Sequence, residues 1–185
     1  VGCVQSAIEK GIYFFAYSLL KSAASMALGG GEVGGNGSGA HHQLRKRNTG
    51  MGLIGGAPSK YGGGFLYANQ RGCDGSRLYF DGCSVIVKNG GVLAQAPQFS
   101  VRDVEVVTAT VDLDDVRSFR AAVSSMQQQA SDMASDQRRA VRRIPVDKWL
   151  GPPADPALLL VPTSPPPGGV RYHSPEEECA FGPAW

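Results

Sequence analysis

The sequence predicts an α/β fold: a set of short strands, then a helix, then a proline-rich extended arm. Three observations carry this. Runs of apolar and β-branched residues bounded by turn residues recur between positions 65 and 111. An apolar stripe at helical spacing begins at Asp112. Prolines then cluster between positions 145 and 170, where neither a helix interior nor a central strand can hold them.

Phe65-Leu66-Tyr67-Ala68 reads as a short strand, and Gly72-Cys73-Asp74-Gly75 as a turn. Leu78 to Gly82 approaches a buried edge, and Ser84 to Lys88 is a β-branched strand. Asn89-Gly90 is a hairpin signal, with Val92 to Ala96 as the returning strand. Val104 to Val111 reads as a further strand with apolar residues on both faces, so covered on both sides. Asp112 or Asp114 caps the helix that follows, in which Val116, Phe119, Arg120 and Val123 share a stripe. Near the end, Ser174, Pro175 and Glu177 form a helix-start signature, and Glu176 to Glu178 reads as a solvated first turn.

Composition narrows the function classes. Glycine supplies 25 of 185 residues, about twice the usual level of roughly 7%. Residues 29–39 form a glycine tract. Its Gly29-x-Gly31-x-x-Gly34 fits the dinucleotide-binding pattern in letters only, because no clean strand precedes it. The charge is balanced, 18 basic against 16 acidic residues, which argues against a nucleic-acid partner. The apolar run from Gly11 to Leu20 is broken by Ser18 and stops at Lys21, about half of what a bilayer span needs. No membrane association is therefore expected. The opening Val1-Gly2-Cys3 lacks the basic start of a secretory signal, so Cys3, Cys73, Cys83 and Cys179 are expected to be free thiols of a cytoplasmic protein. No cysteine pair has zinc-ligand spacing, and the adjacent His41-His42 has no third ligand, so no metal site is assigned.

Three stretches carry a family resemblance. They are Tyr67-Ala-Asn-Gln-Arg-Gly-Cys-Asp-Gly-Ser-Arg-Leu-Tyr-Phe-Asp-Gly-Cys83, the run from Ala94 through Gln-Ala-Pro-Gln-Phe-Ser-Val-Arg-Asp to Arg117, and Arg171-Tyr-His-Ser-Pro-Glu-Glu-Glu178. Upstream, Asn36-Gly-Ser-Gly-Ala-His-His-Gln-Leu-Arg-Lys-Arg-Asn-Thr49 extends the match. Together they resemble the nitrilase-like, carbon-nitrogen hydrolase glutaminase domain of eukaryotic glutamine-dependent NAD+ synthetases. The resemblance implies part of an α-β-β-α sandwich with four or five strands and exposed sheet edges. It implies a division into a divergent segment 1–28, a partial glutaminase domain 29–144, and an extended linker 145–185 leading toward a synthetase domain.

The same resemblance implies a parent enzyme that hydrolyses L-glutamine with a Glu–Lys–Cys triad and passes ammonia to a domain that amidates deamido-NAD+. The parent uses ATP and Mg2+ and belongs to a family that forms homo-oligomers. The triad Glu and Lys have no counterpart in the chain. Spacing from Met26 places the nucleophile near Tyr13, while the local echo Ser6-Ala-Ile-Glu9-Lys10 places it at Glu9, and neither is a cysteine. No catalytic residue is assigned. The family's glutamine-contacting Ser reads as Ala40, and Arg45 and Lys46 remain as candidate contacts to the glutamine carboxylate. The ATP-binding Ser-Gly-Gly-x-Asp-Ser loop does not occur. Glycines and a proline inside two family elements, Glu32-Val-Gly-Gly35 and Gly52 to Pro58, argue for a relaxed, truncated or incorrectly assembled copy. The expected function is thus the amidohydrolase portion of an NAD+ synthase, inactive alone. The alternatives are a non-catalytic remnant that binds intact subunits, and a partial gene model of a longer enzyme.

Overall fold

The structure, a computed structural model, describes residues 32–132 and 162–184. The expectations for residues 1–28, including Cys3, Glu9 and Tyr13, and for the arm from 145 to 161 lie outside the described residues. A four-stranded mixed sheet runs in the order β1-β2-β5-β6. It comprises β1 (Val33–Ser38), β2 (Gly64–Asn69), β5 (Val85–Lys88) and β6 (Gly91–Gln95). A two-stranded antiparallel pair, β3 (Arg71–Cys73) and β4 (Tyr79–Asp81), stands beside it. The described residues thus hold six strands where four or five were expected.

β1 and β2 are parallel, and a parallel pair needs a crossover. Helix α1 (Lys46–Tyr61) supplies it. The sequence gives α1 little help: it carries Gly50, Gly52, Gly55, Gly56 and Pro58. At roughly 0.5–1 kcal/mol per glycine, the helix is poor in isolation. Burial compensates. Met51 packs with Phe65, Val85 and Val87 in one cluster, and Ile54, Tyr67, Val92 and Val170 lean on it. The two elements read as relaxed from their glycines therefore both form. The glycine tract is correspondingly half strand: its backbone from Val33 to Ser38 pairs along the whole of β2, from Gly64 to Asn69.

The hairpin at Asn89-Gly90 forms as its residues demand, with Gly90 at φ +88° and Asn89 at +49°. A side chain at Gly90 would place its Cβ 2.5 Å from the Cβ of Ser59, so the turn sits directly against the end of α1. α2 (Leu113–Ala122) starts where expected: Asp112 caps it, accepting the N–H of Asp114 at 2.9 Å. The chain breaks at Val123 and resumes as α3 (Ser124–Asp132).

One expected strand does not form. Residues 104–110 join no sheet, and Val104 and Val106 are 74% and 78% exposed. The predicted alternation survives: Glu105, Val107 and Ala109 are half-buried while Val104, Val106 and Thr108 face water. β-branched sequence favours extension, but a strand also needs a neighbouring edge. Among the described residues Thr110 alone finds partial pairing, accepting the N–H of Thr163 at 2.9 Å and donating to its Oγ1 at 2.8 Å.

The last element, α4 (Pro175–Ala184), follows its capping box: Ser174 Oγ accepts from Glu177 N–H at 3.3 Å while Glu177 Oε2 accepts from Ser174 N–H at 3.0 Å. Residues 170–184 lie against the sheet domain. Gln95 grips Arg171 through both amide atoms, at 2.8 and 3.0 Å. Gly182 fits against Tyr79, whose hydroxyl would be 2.6 Å from an added Cβ.

Candidate functional site

A cavity of about 90 Å³ lies where the first turns of α1 cross the sheet. Its walls include Ala40, Lys46, Tyr67, Asn69, Asp81 and Cys83. The loop between β1 and α1 shapes one side. Asn69 clamps that loop reciprocally: its amide donates to Ala40 O at 3.0 Å and accepts Ala40 N–H at 2.9 Å. His42 N–H binds Tyr79 O at 2.7 Å, tying the loop to β4.

Arg45 ends the loop as the N-cap of α1, with φ +60°. A non-glycine residue held there costs on the order of 1–2 kcal/mol and must be held by its surroundings. The surroundings are the carboxylate of Glu178, which accepts the Arg45 N–H at 2.8 Å. Glu178 is only 2% exposed. The expected solvated run at Glu176 to Glu178 is thus corrected at its third member. The reason is helical periodicity: Glu176 and Glu177 stay outside while the next residue turns inward onto α1.

Glu178 joins a buried chain of groups. Its Oε2 stands 3.9 Å from His42 Nε2, and His42 Nδ1 donates to Asp81 Oδ2 at 3.0 Å. Asp81 also accepts from Gln98 Nε2 at 2.7 Å. The imidazole stacks on Tyr79 and meets the edge of Phe99, each with centroids 5.1 Å apart.

The two candidate substrate contacts separate. Lys46 lines the cavity, its ammonium donating to His41 O at 3.1 Å. Arg45 is exposed and lies outside the lining. Arg47, which the sequence reading passed over, lines the cavity instead and lies against the Cys83 thiol. Its Nε and Nη2 are buried with no hydrogen-bond partner. No sequence signal marks this, since a basic residue early in a helix is ordinarily solvated.

Burial pushes the Cys83 thiol up to about 12, against which the nearby Arg47 charge is a smaller opposing effect. It is a neutral thiol at ordinary pH and a poor nucleophile. Burial likewise raises the Tyr67 hydroxyl. Cys73 and Cys179 are exposed. The described residues hold no group of three His, Cys, Asp or Glu side chains suited to a metal ion. No helix among the described residues is long and apolar enough to cross a membrane.

A mixed sheet with a helix across one face and a cavity beneath that helix defines an α/β domain. The carbon-nitrogen hydrolase family matches residues 20–121, and the chain belongs to that family. Its relatives are specific. The chain is 51% identical to the glutamine-dependent NAD+ synthetase of Macaca fascicularis over 86% of its own length and 21% of the relative. For the synthetase of Saccharomyces cerevisiae the figures are 52%, 86% and 22%, and for that of Arabidopsis thaliana 48%, 91% and 22%. The chain therefore spans about a fifth of the length of the curated relatives it matches. Among solved structures, a carbon-nitrogen hydrolase from Helicobacter pylori G27 aligns with a TM-score of 0.45 at 21% identity, covering 64% of this chain and 43% of that one.

Proposed function

We propose that this chain is part of the glutaminase module of a glutamine-dependent NAD+ synthase, the enzyme that makes NAD+ from deamido-NAD+, ATP and glutamine. One observation carries the reading: about half of the residues are identical to such synthetases across 86% of the chain. The cavity is consistent with it. At about 90 Å³ it is well under the roughly 300–1,000 Å³ of a complete small-molecule pocket, so it serves as one end of a larger site. Lys46 supplies a cation there for the carboxylate of L-glutamine, while Arg45 lies outside the cavity lining and is not proposed as a contact. ATP and Mg2+ belong with the synthetase part of the enzyme, and the homo-oligomeric, cytoplasmic state expected of the family goes with the same reading.

The chain alone does not turn over glutamine on this reading. Acyl transfer needs a thiolate beside a proton acceptor. Among the described residues, Cys83 is buried and neutral, and neither exposed thiol lines the cavity. The test has two arms. The coding sequence flanking this segment should encode Glu-Ile-Cys-Glu upstream and Ser-Gly-Gly-x-Asp-Ser downstream, and the extended protein should release ammonia from glutamine and form NAD+. The 185-residue chain should show neither ammonia release nor an acyl adduct by intact mass after treatment with a glutamine analogue. Flanks lacking both motifs would overturn the assignment, and a thioester on the short chain would overturn its inactivity.

A binding fragment is the second reading, favoured by the exposed valines of residues 101–106. Co-purification with a full-length synthetase would support it.

A further inference from the structure

The loop that delivers Lys46 to the cavity is held from two directions. β4 holds it through the Tyr79 carbonyl, which accepts from His42 N–H. The tail helix α4 holds it through Glu178, which accepts from Arg45 N–H, the amide adjacent to Lys46 in the chain. The side chains between these points form a continuous buried series: Gln98 to Asp81 at 2.7 Å, Asp81 to His42 at 3.0 Å, His42 to Glu178 at 3.9 Å. A second path runs through packing, since α4 lies on Tyr79 at Gly182 and Tyr79 stacks on His42.

Two features make this more than tail packing. Arg45 occupies a left-handed conformation without a side-chain cap on the helix it starts, so its geometry depends on the external acceptor. Burying a carboxylate is unfavourable unless hydrogen bonds satisfy it, and Glu178 meets that need at Arg45. The hydrogen bond that satisfies the buried carboxylate of α4 is therefore made at the entry of α1.

We infer that Glu178, with His42, is a positioning residue that couples docking of the tail helix α4 to the placement of Lys46 in the cavity. Release of α4 frees the Arg45 amide, lets the loop leave its left-handed turn and loosens the Lys46 ammonium from the His41 carbonyl. The ligand meant here is the glutamine carboxylate, so this part rests on the glutaminase reading. The mechanical coupling does not.

The test is residue-resolved reductive methylation of lysines in the 185-residue chain, with Lys60 at the far end of α1 as the internal reference. Glu178→Leu keeps apolar volume but removes the acceptor. It should raise the Lys46 modification rate about tenfold, the low end of what loss of a hydrogen bond to a charged group gives, and leave Lys60 unchanged. Glu178→Gln restores an acceptor and should return most of the protection. A Lys46 rate in Glu178→Leu equal to that of the native chain would overturn the inference. If Lys46 and Lys60 both rise, the fold has loosened globally and Phe181→Ala decides. That residue packs α4 against Phe99, with ring centroids 6.5 Å apart. Lys46 should then rise alone, and an unchanged rate overturns the coupling. Added glutamine should slow Lys46 modification in the native chain. Failure of that arm alone would sink the glutaminase reading of the cavity and leave the coupling standing.

Discussion

Replacing Arg47 by methionine should make the protein more stable. Arg47 carries a guanidinium into the cavity wall, where Nη1 meets a thiol and Nε and Nη2 meet no acceptor. The thiol is no counter-ion, because burial keeps Cys83 protonated up to about 12. Each unsatisfied buried donor costs about 1–3 kcal/mol, and replacing buried ionic groups by apolar ones of similar size commonly gains about 1–4 kcal/mol. The neighbouring wall is suited to a thioether, since Met51, Ile54 and Tyr67 line it. Arg47→Met should therefore stabilise by about 1–3 kcal/mol. At about 2–4 °C per kcal/mol for a chain of this size, Tm should rise by roughly 2–12 °C. Thermal melts followed by circular dichroism, with urea unfolding at unchanged slope, measure it. Arg117→Met, at an exposed arginine bound to Glu32 and Asp114, is the control and should move stability by no more than about 1 kcal/mol. An Arg47→Met protein with unchanged or lower Tm would refute the argument that this guanidinium is buried without compensation.

Four further outcomes follow from the same geometry. Iodoacetamide at pH 8 should modify Cys73 and Cys179 but spare Cys83, as peptide mass mapping would show; prompt labelling of Cys83 in the folded chain would contradict its burial. Because the folded Cys83 binds its proton more tightly than the unfolded thiol, whose ordinary value is 9.0, stability should fall as pH rises from 9.0 toward about 12; a urea midpoint flat across that window in the native chain, compared with Cys83→Ala, would count against it. Gly90→Ala puts a Cβ at positive φ and 2.5 Å from Ser59, so the urea midpoint should drop by the equivalent of about 1–3 kcal/mol. Asp112→Ala removes the cap of α2 and should cost about 1 kcal/mol in the same measurement, with unchanged stability showing that α2 does not depend on it.

What the amino-acid sequence determined by itself is local. The Asn89-Gly90 hairpin, the Asp112 cap and the Ser174–Glu177 capping box each depend on residues within a few positions, so their chemistry can be read directly. The family could also be read, because its motifs are runs of consecutive residues. Tertiary structure decided what depends on distant partners. The glycine tract became β1 because β2 offered a complete parallel edge, while the more strand-like run from Val104 found none among the described residues. The four-glycine α1 formed because Met51 and Ile54 reached a core built by β2 and β5. Glu178, one of three successive glutamates, became a buried acceptor because the tail brings it to an amide 133 positions earlier in the chain. Composition cannot distinguish these outcomes: the free energy of a backbone group or a carboxylate is set by what it meets after folding, and that partner is not adjacent in sequence.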